Sequence, residues 1–225
     1  MTQENQSRDS NPSPLVKTKD GSYTFFNKKY NQYCHSEFGA ADECREKLVA
    51  PCLELKRRKE IGWIPKILDI GFGMGYNSAA AFDLFGPCKI IGLENNQEII
   101  KAALTISAPF KSYPLIQKAL SSKDLSIVEG KSSINIIFGD AAKTIDQAGI
   151  FDIVFFHQFP ESATPELWSQ EFIDKVYTHM AKDSMLTTYI CSKAVRERLK
   201  KAGFIVKDGP VIGRRGPGTI GCKKE

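Results

Sequence analysis

Three glycines at alternate positions constrain this chain more than any other feature. Gly71, Gly73 and Gly75 lie in the run of residues 69–77, DIGFGMGYN in one-letter code, between an apolar pair and an alanine-rich stretch. This order predicts a strand, a tight turn and a helix. Glycine has no Cβ, so a ligand can approach such a turn closely, and the N–H groups that open the next helix stay available to it. The segment therefore predicts a binding turn.

The spacing around the turn separates two classes of ligand. A dinucleotide fingerprint reads G-x-G-x-x-G, whereas here Tyr76 occupies the third glycine position. Asp69 would repel a pyrophosphate but suits a cationic group, such as the amino group of S-adenosylmethionine. Glu94 ends the next apolar run, where a carboxylate can accept both ribose hydroxyls. The pattern favours a methyl-donor site; the alternative is a turn that only packs strand against helix.

Apolar runs alternate with helical patterns along most of the chain. Strands are predicted at 66–70, 89–94, 133–138, 152–156 and 184–190, with helices at 76–85, 96–107, 110–121, 140–147 and 165–181. This alternation favours an α/β fold: a mostly parallel, twisted sheet with helices on both faces. After a helix at 192–202, segments near 203–206 and 218–222 predict an antiparallel C-terminal hairpin, as in Rossmann-like methyltransferases.

The N-terminal part differs from the rest. Residues 1–18 are polar and rich in Ser, Asn and Pro, which predicts a disordered tail. Residues 19–225 are predicted to form a single domain, with an extension at 19–62 and a Rossmann-like core at 63–225. The extension combines a short strand at 23–26 with a helix at 36–59 that breaks near Pro51.

Composition excludes several classes of protein. No run approaches the ~20 apolar residues of a membrane helix, and the polar N-terminus shows no secretory signal. Six cysteines form no C-x-x-C pair and no metal-like cluster, which indicates reduced thiols in a cytoplasmic protein. Two of them, Cys44 and Cys52, are expected to be buried in a helix. We therefore predict neither a metal nor a membrane partner.

Positive charge is concentrated near the C-terminus. The net charge is +5, yet residues 193–225 alone hold ten basic and three acidic residues. A basic segment on a slightly acidic body favours a polyanion such as nucleic acid, although a solvated helix face with a basic tail would look the same. The candidate phosphate contacts are Arg196, Arg198, Lys200, Arg214 and Arg215. Tyr189, at the end of the fifth predicted strand, is a candidate for the substrate side.

Several segments together resemble one family. They are DGSYT at 20–24, YCHS at 33–36, LDIGFGMGYN at 68–77, GDA at 139–141, PELW at 165–168, AGF at 202–204 and GRR at 213–215. They follow the order of the tRNA (5-methylaminomethyl-2-thiouridine) methyltransferase domain, which forms the N-terminal half of the bifunctional enzyme MnmC and also occurs alone as MnmD. Nothing resembles the flavin-dependent second half of MnmC, so the stand-alone type is expected.

The resemblance implies a reaction and additional site residues. S-adenosylmethionine would methylate the primary amine of 5-aminomethyl(-2-thio)uridine at the wobble position, in the anticodon region of tRNA. Besides the glycines and the two acids, the cofactor site would include Tyr33, Glu43, Phe72, Asn77 and Asp140. Three of these have ordinary alternatives: Asp140 as a helix cap, Glu43 as a solvated helical residue and Tyr33 in aromatic packing.

The chain departs from the family pattern in one segment. The family carries an aspartate in a D-A-F-x-P sequence, and this chain has FHQFPES at 156–162. Gln158 replaces that aspartate, or a one-residue deletion removes it. His157 or Glu161 could serve as the base instead, and His157 could equally be a packed residue at a strand end. The catalytic candidates are His157, Gln158 and Glu161.

This departure keeps other functions open. One is methylation of a different amine; another is a domain that binds the cofactor or RNA without turnover. The sequence also leaves open whether a separate enzyme supplies the aminomethyl intermediate.

Overall fold

A computed structural model describes residues 14–212 and 216–224. A small antiparallel sheet near the N-terminus consists of β1 (Leu15–Lys17), β2 (Tyr23–Asn27) and β3 (Gln32–Tyr33). The main sheet contains β4 (Lys66–Ile70), β5 (Lys89–Glu94), β6 (Ser126–Glu129), β7 (Ser132–Phe138), β8 (Phe151–Phe156), β9 (Met180–Thr188), β10 (Ile205–Asp208) and β11 (Thr219–Lys223).

The strand order across the main sheet is β10-β11-β9-β8-β4-β5-β7-β6. Strands β4, β5, β7, β8 and β9 are parallel, while β6 and β11 run antiparallel to their neighbours. The carboxyl ends of five parallel strands therefore meet at one edge, where open α/β sheets bind ligands.

The helices are α1 (Ala40–Asp42), α2 (Leu53–Arg58), α3 (Tyr76–Phe85), α4 (Gln97–Ala103), α5 (Tyr113–Ser121), α6 (Ala141–Thr144), α7 (Gln170–Thr178) and α8 (Lys193–Lys201). A π-helix (Glu43–Val49) and a 3₁₀ turn (Ala50–Cys52) link α1 to α2. Two more 3₁₀ turns, Ile145–Gln147 and Pro165–Trp168, follow α6 and precede α7. None of the described helices is long and apolar enough to cross a bilayer.

Two apolar cores cover the two faces of the sheet. Along β4, Ile67 joins the core under α3 and α5, while Leu68 and Ile70 join the core under α7 and α8. Strand β8 alternates in the same way, because successive side chains of a strand point to opposite faces. By this alternation Asp69 lies on the face covered by α3.

The predicted mostly parallel sheet with an antiparallel C-terminal hairpin is confirmed, and several boundaries are corrected. The predicted tail ends too late, because Leu15–Lys17 already pair with β2; residues 1–13 lie outside the described part. The predicted helix at 165–181 ends at Thr178, since β9 begins at Met180. Strand β6 was not predicted. As expected, Cys44 and Cys52 are buried.

A partly buried carboxylate fastens the N-terminal sheet to α1. Asp20 Oδ2 accepts hydrogen bonds from the backbone N–H groups of Ala41 and Asp42, and Oδ1 accepts from Thr18 and Ser22. Burial alone would raise the pKa of Asp20, but these hydrogen bonds outweigh it and lower the pKa to about 2. The N-terminal sheet is thereby held beside the ligand-binding edge of the main sheet.

Candidate active site

A cavity lies at the carboxyl ends of β4, β5, β7 and β8. Among the predicted site residues, its wall includes Gly71, Gly73, Glu94, Asp140, His157 and Gln158. They come from four strand ends that the parallel topology brings together.

The glycine turn has the conformation that its sequence predicts. Gly71, Gly73 and Gly75 have φ angles of 78°, 57° and 77°, in the region that L-residues avoid. A side chain at Gly71 would also collide with the carbonyl of His157 and the amide of Gln158. The Gln158 side chain therefore lies directly over the first glycine of the turn.

Glu94 joins the glycine turn to the loop after β5. Its Oε2 accepts the N–H of Gly73 at 2.7 Å, and Oε1 accepts those of Asn95 and Asn96 at 2.9 and 2.8 Å. Burial raises the pKa of Glu94, and the three N–H donors partly offset that shift. A carboxylate can accept about four hydrogen bonds, so Glu94 keeps one site for a ligand hydroxyl.

Asp69 does not lie on the cavity wall, which corrects the prediction of a direct ligand contact. Its side chain is fully buried and accepts hydrogen bonds from Asn77 Nδ2 at 3.0 Å and Ser78 Oγ at 2.8 Å. Burial raises the pKa of Asp69 to about 7, despite these hydrogen bonds. Asp69 thus holds the start of α3 against β4.

Five more predicted cofactor residues lie behind or beside the wall. Phe72 packs against Gly75 and Gly92 beneath the turn, and Asn77 is buried. Glu43 is fully buried, and its Oε2 accepts the N–H of Ser36 at 2.9 Å. Tyr33 lines a neighbouring groove instead of the cavity. Gly75 begins α3 and does not line the cavity either.

Asp140 serves two purposes. It caps α6, because its Oδ1 accepts the N–H of Ala142 at 3.1 Å, and its exposed side chain also lines the cavity. The two interpretations left open by the sequence are therefore compatible.

Histidines form one end of the cavity. The His157 ring lies 4.8 Å from the ring of His35 and 5.3 Å from that of Tyr189, measured between centroids. Asn77 Nδ2 lies 3.4 Å from His157 Nδ1, and Tyr189 donates a hydrogen bond from its hydroxyl to the carbonyl of Gln158. Asn77 and Tyr189 therefore fix the segment that contains His157 and Gln158.

His35, Cys44 and His157 each place one potential metal-ligand atom, a ring nitrogen or the thiol sulfur, within 4.8 Å of the other two. The spacing of the cysteines in the sequence did not predict this cluster. Burial raises the pKa of the Cys44 thiol, and the charges of Glu43 and Asp69 raise it further. Cys44 is accordingly a neutral thiol behind the histidine pair.

Glu161 lies outside the cavity, which corrects its prediction as a base. Its Oε1 forms a 2.6 Å ion pair with Arg198 Nη2, and this hydrogen bond holds the pKa of Glu161 below its usual value. Arg198 is therefore already paired in this structure, and its contact with phosphate stays a prediction.

The other predicted phosphate contacts are also altered by the fold. Arg196 donates to Thr219 Oγ1, Asp208 Oδ1 and the carbonyl of Gly218, so it ties α8 to the C-terminal strands. Lys200 forms an exposed pair with Glu197. Arg214 and Arg215 lie outside the described residues.

Sequence reasoning missed cavity residues that come from loops. They include Asn27, Tyr30, Cys34, Phe159, Thr164 and Glu166. The rings of Tyr30 and Phe159 lie 4.7 Å apart, joining the β2–β3 turn to the loop after β8. The sequence signals were the position of Phe159 just past a strand and the family segments that contain Cys34 and Glu166. Asn27 and Tyr30 had none.

Comparison with known proteins agrees with this arrangement. The model of a family described as S-adenosyl-L-methionine-dependent methyltransferase matches residues 101–224, and the chain belongs to that family. It is an enzyme whose cofactor is S-adenosylmethionine. The site fits this cofactor: the turn presents no Cβ at Gly71 and Gly73, and Glu94 offers an acceptor beside it for a hydroxyl.

Relatives show where the chain stands within that class. It is 28% identical over 215 residues to an uncharacterised protein of Methanocaldococcus jannaschii, covering 93% of this chain and 59% of the relative. It is 26% identical over 174 residues to the tRNA 5-methylaminomethyl-2-thiouridine biosynthesis bifunctional protein MnmC of Leptospira interrogans, covering 69% of this chain. The chain spans 26% of that MnmC protein's length.

Solved structures share the fold. The crystal structure of MNMC2 from Aquifex aeolicus matches with a TM-score of 0.78 and 28% identity, covering 95% of this chain and 71% of the other. A spermidine synthase in complex with the transition-state analogue AdoDATO matches with a TM-score of 0.63 and 16% identity, covering 93% of this chain and 74% of the other. That second likeness concerns the fold alone. The chain is therefore similar to MnmC proteins in sequence and in fold.

Proposed function

We propose that this enzyme methylates the aminomethyl group of 5-aminomethyl(-2-thio)uridine at the wobble position of tRNA. The observation that carries the proposal is the likeness to MnmC proteins, in sequence to the Leptospira enzyme and over 95% of the chain to the Aquifex structure. The names of the MnmC relatives refer to biosynthesis of the corresponding methylated nucleoside in tRNA.

The reaction makes two demands on the protein. S-adenosylmethionine supplies a methyl group on a sulfonium centre, and the acceptor amine must reach it without its extra proton, since an ammonium has no lone pair. Gly71, Gly73, Glu94 and Asp140 would hold the cofactor along one side of the cavity. Holding two reactants in line accounts for much of the acceleration in such transfers.

His157 is the proton acceptor in this proposal. Its side chain lies on the cavity wall, and Asn77 Nδ2, which can only donate, faces its Nδ1 at 3.4 Å. That contact favours the tautomer with an unprotonated Nδ1 and a protonated Nε2, so the lone pair that would take the proton of the amine is the one on Nδ1, beside Asn77. Glu161 is excluded from this role by its ion pair with Arg198. Gln158 has no basic atom and would bind by hydrogen bonding above Gly71.

The test uses purified enzyme, labelled cofactor and two tRNA pools, one with and one without 5-aminomethyluridine. Label in the first pool only, recovered in the methylaminomethyl nucleoside by mass spectrometry, is the expected result. If neither pool is labelled although the enzyme binds the cofactor, this function is wrong.

A second candidate is methylation of a different amine. It is favoured by the segment after β8, where Gln158 stands in place of the family aspartate or a one-residue deletion removes that aspartate. The variant Gln158→Asp should react faster with aminomethyl-tRNA if the missing aspartate merely impairs the enzyme, whereas no change, or a loss, would indicate that His157 already does the job. Transfer to another amine by a wild type that does not label aminomethyl-tRNA would support the second candidate.

A further inference from the structure

A second groove lies beside the cofactor cavity and shares one histidine, His35, with the wall of that cavity. It is lined by Asn31, Gln32, Tyr33, His35, Ser36, Glu37, Phe38 and Tyr189. His35 belongs to both walls, so the groove reaches the end of the cavity where His157 lies. A group bound in the groove would therefore be adjacent to the methyl acceptor position.

The groove combines aromatic surface with polar edges. Phe38 is 63% exposed, although it is a large apolar side chain, and Tyr33 is partly exposed. Tyr33 is held by an edge-to-face contact with Phe26, with centroids 5.0 Å apart. Lys19 Nζ lies 4.3 Å from the centre of the Phe38 ring. Exposed aromatic rings are the surfaces on which proteins stack unpaired bases, and a nearby cation can pair with the phosphate of a stacked nucleotide.

Charge around the groove indicates how a polyanion would lie. Glu37 lines the groove and would repel a phosphate there. Lys17, Lys19, Lys28 and Lys29 are exposed, and none of these four forms an ion pair with another described residue. Lys19 lies at the ring of Phe38, Lys28 and Lys29 lie in the turn that leads to Asn31 and Gln32 in the groove wall, and Lys17 ends β1 in the same small sheet. The three basic residues of α8 that were predicted to contact phosphate, in contrast, are already paired. Bases would occupy the groove while phosphates contact the lysines.

We propose that this groove and the lysines around it form the binding surface for an unpaired stretch of RNA, with a base stacked on Phe38. The inference rests on the proposed function, because the RNA would be the anticodon loop that presents the aminomethyl group to His157. It moves the predicted RNA contact from α8 to the N-terminal sheet.

Binding of a dye-labelled anticodon stem-loop, measured by fluorescence anisotropy, tests the surface. We expect Phe38→Ala to weaken binding about 10-fold and Phe38→Trp to preserve it, since stacking needs only an aromatic ring. The double variant K28E/K29E should also weaken binding. A plot of the logarithm of the binding constant against the logarithm of salt concentration should become shallower by about 1.4, which is the contribution of two phosphate contacts on a single strand.

Matched controls separate this surface from general electrostatics. Lys123 and Lys131 are exposed on either side of β6, outside the cavity and the groove, and K123E/K131E should bind RNA as the wild type does. Calorimetric titration of demethylated cofactor should give unchanged affinity for all variants, which shows that they fold. Equal weakening by both double variants, or wild-type binding by Phe38→Ala, would overturn the inference.

The two proposals fail in different ways. If the wild type binds the stem-loop through Phe38 and Lys28 but transfers no methyl group to tRNA that carries 5-aminomethyluridine, the proposed function is wrong and the RNA surface stands. If the wild type methylates tRNA while the Phe38 and lysine variants behave as the wild type, the surface is wrong and the function stands. If the enzyme methylated an amine of a protein and did not methylate RNA, both proposals would be wrong.

Discussion

Asn77 donates a hydrogen bond from Nδ2 to Asp69 Oδ1 at 3.0 Å, and the whole contact is buried. The same nitrogen faces His157 Nδ1 at 3.4 Å. Asp69 therefore reaches the cavity only through Asn77, although its position before the glycine turn predicts a direct contact. The acid orients an amide, and the amide orients the histidine.

Asp69→Asn should change how stability depends on pH. The pKa of Asp69 is raised from 3.8 to about 7 in the folded protein, so the folded state keeps a proton that the unfolded state releases. The wild type should lose stability as pH rises from about 4 to 7, by up to about 4 kcal/mol from this group. Urea unfolding of cofactor-free protein between pH 4.5 and 7.5 measures the free energy of unfolding at each pH. If this free energy changed with pH equally in the wild type and in D69N, the raised pKa would not belong to Asp69.

Glu94→Gln should weaken cofactor binding without unfolding the protein. An amide at this position turns one acceptor into a donor that faces the N–H groups now held by the carboxylate. Loss of charged hydrogen bonds of this kind costs about 1.5–3 kcal/mol, or roughly 10- to 100-fold in affinity. Calorimetry with demethylated cofactor measures the change, and Glu98→Gln, on the exposed side of α4, is the control. Equal affinities for both variants would remove Glu94 from the site.

Gly75→Ala should destabilise the fold more than Gly130→Ala does. Both glycines have positive φ, but a Cβ at Gly75 would lie 2.6 Å from Ile116 and 2.8 Å from Phe72, whereas one at Gly130 meets nothing within 4 Å. Strain alone costs about 1–2 kcal/mol; overpacking at Gly75 adds about 1–3 kcal/mol. Chemical denaturation of the two variants makes the comparison, and similar midpoints would be the contrary result.

Arg196→Gln should affect stability and leave RNA affinity unchanged. Arg196 holds Thr219, Asp208 and the carbonyl of Gly218, so its loss should cost about 1–3 kcal/mol and loosen β10 and β11. Lys200→Gln breaks only an exposed pair and should cost less than about 1 kcal/mol. Thermal unfolding and stem-loop binding are measured on both variants. If Arg196→Gln remained stably folded but bound the stem-loop more weakly, Arg196 on α8 would be a contact for RNA.

His157→Gln should lower kcat while cofactor affinity stays within a few-fold of the wild type. A positioned acid–base group contributes about 10²–10⁴-fold to rate. Single-turnover methyl transfer to aminomethyl-tRNA measures the first quantity and calorimetry the second. A variant that retains full kcat would show that His157 is a packed residue.

The sequence alone determined the fold class and the side of the sheet that binds the cofactor. Apolar runs of strand length and the alternate glycines act locally, so they predict β4, the turn and α3 at their observed bounds. For the same reason the position of Glu94 at a strand end is enough to predict that its side chain lines the cavity.

Only the tertiary structure decided which charged side chains face the ligand. Asp69 faces α3 because of strand alternation, while Arg196 and Arg198 are engaged by Thr219, Asp208 and Glu161, residues distant in sequence. The β2–β3 hairpin reaches the cavity because Asp20 anchors it to α1. Such partners meet only when the chain packs, so local sequence patterns do not predict which charges are already paired within the protein.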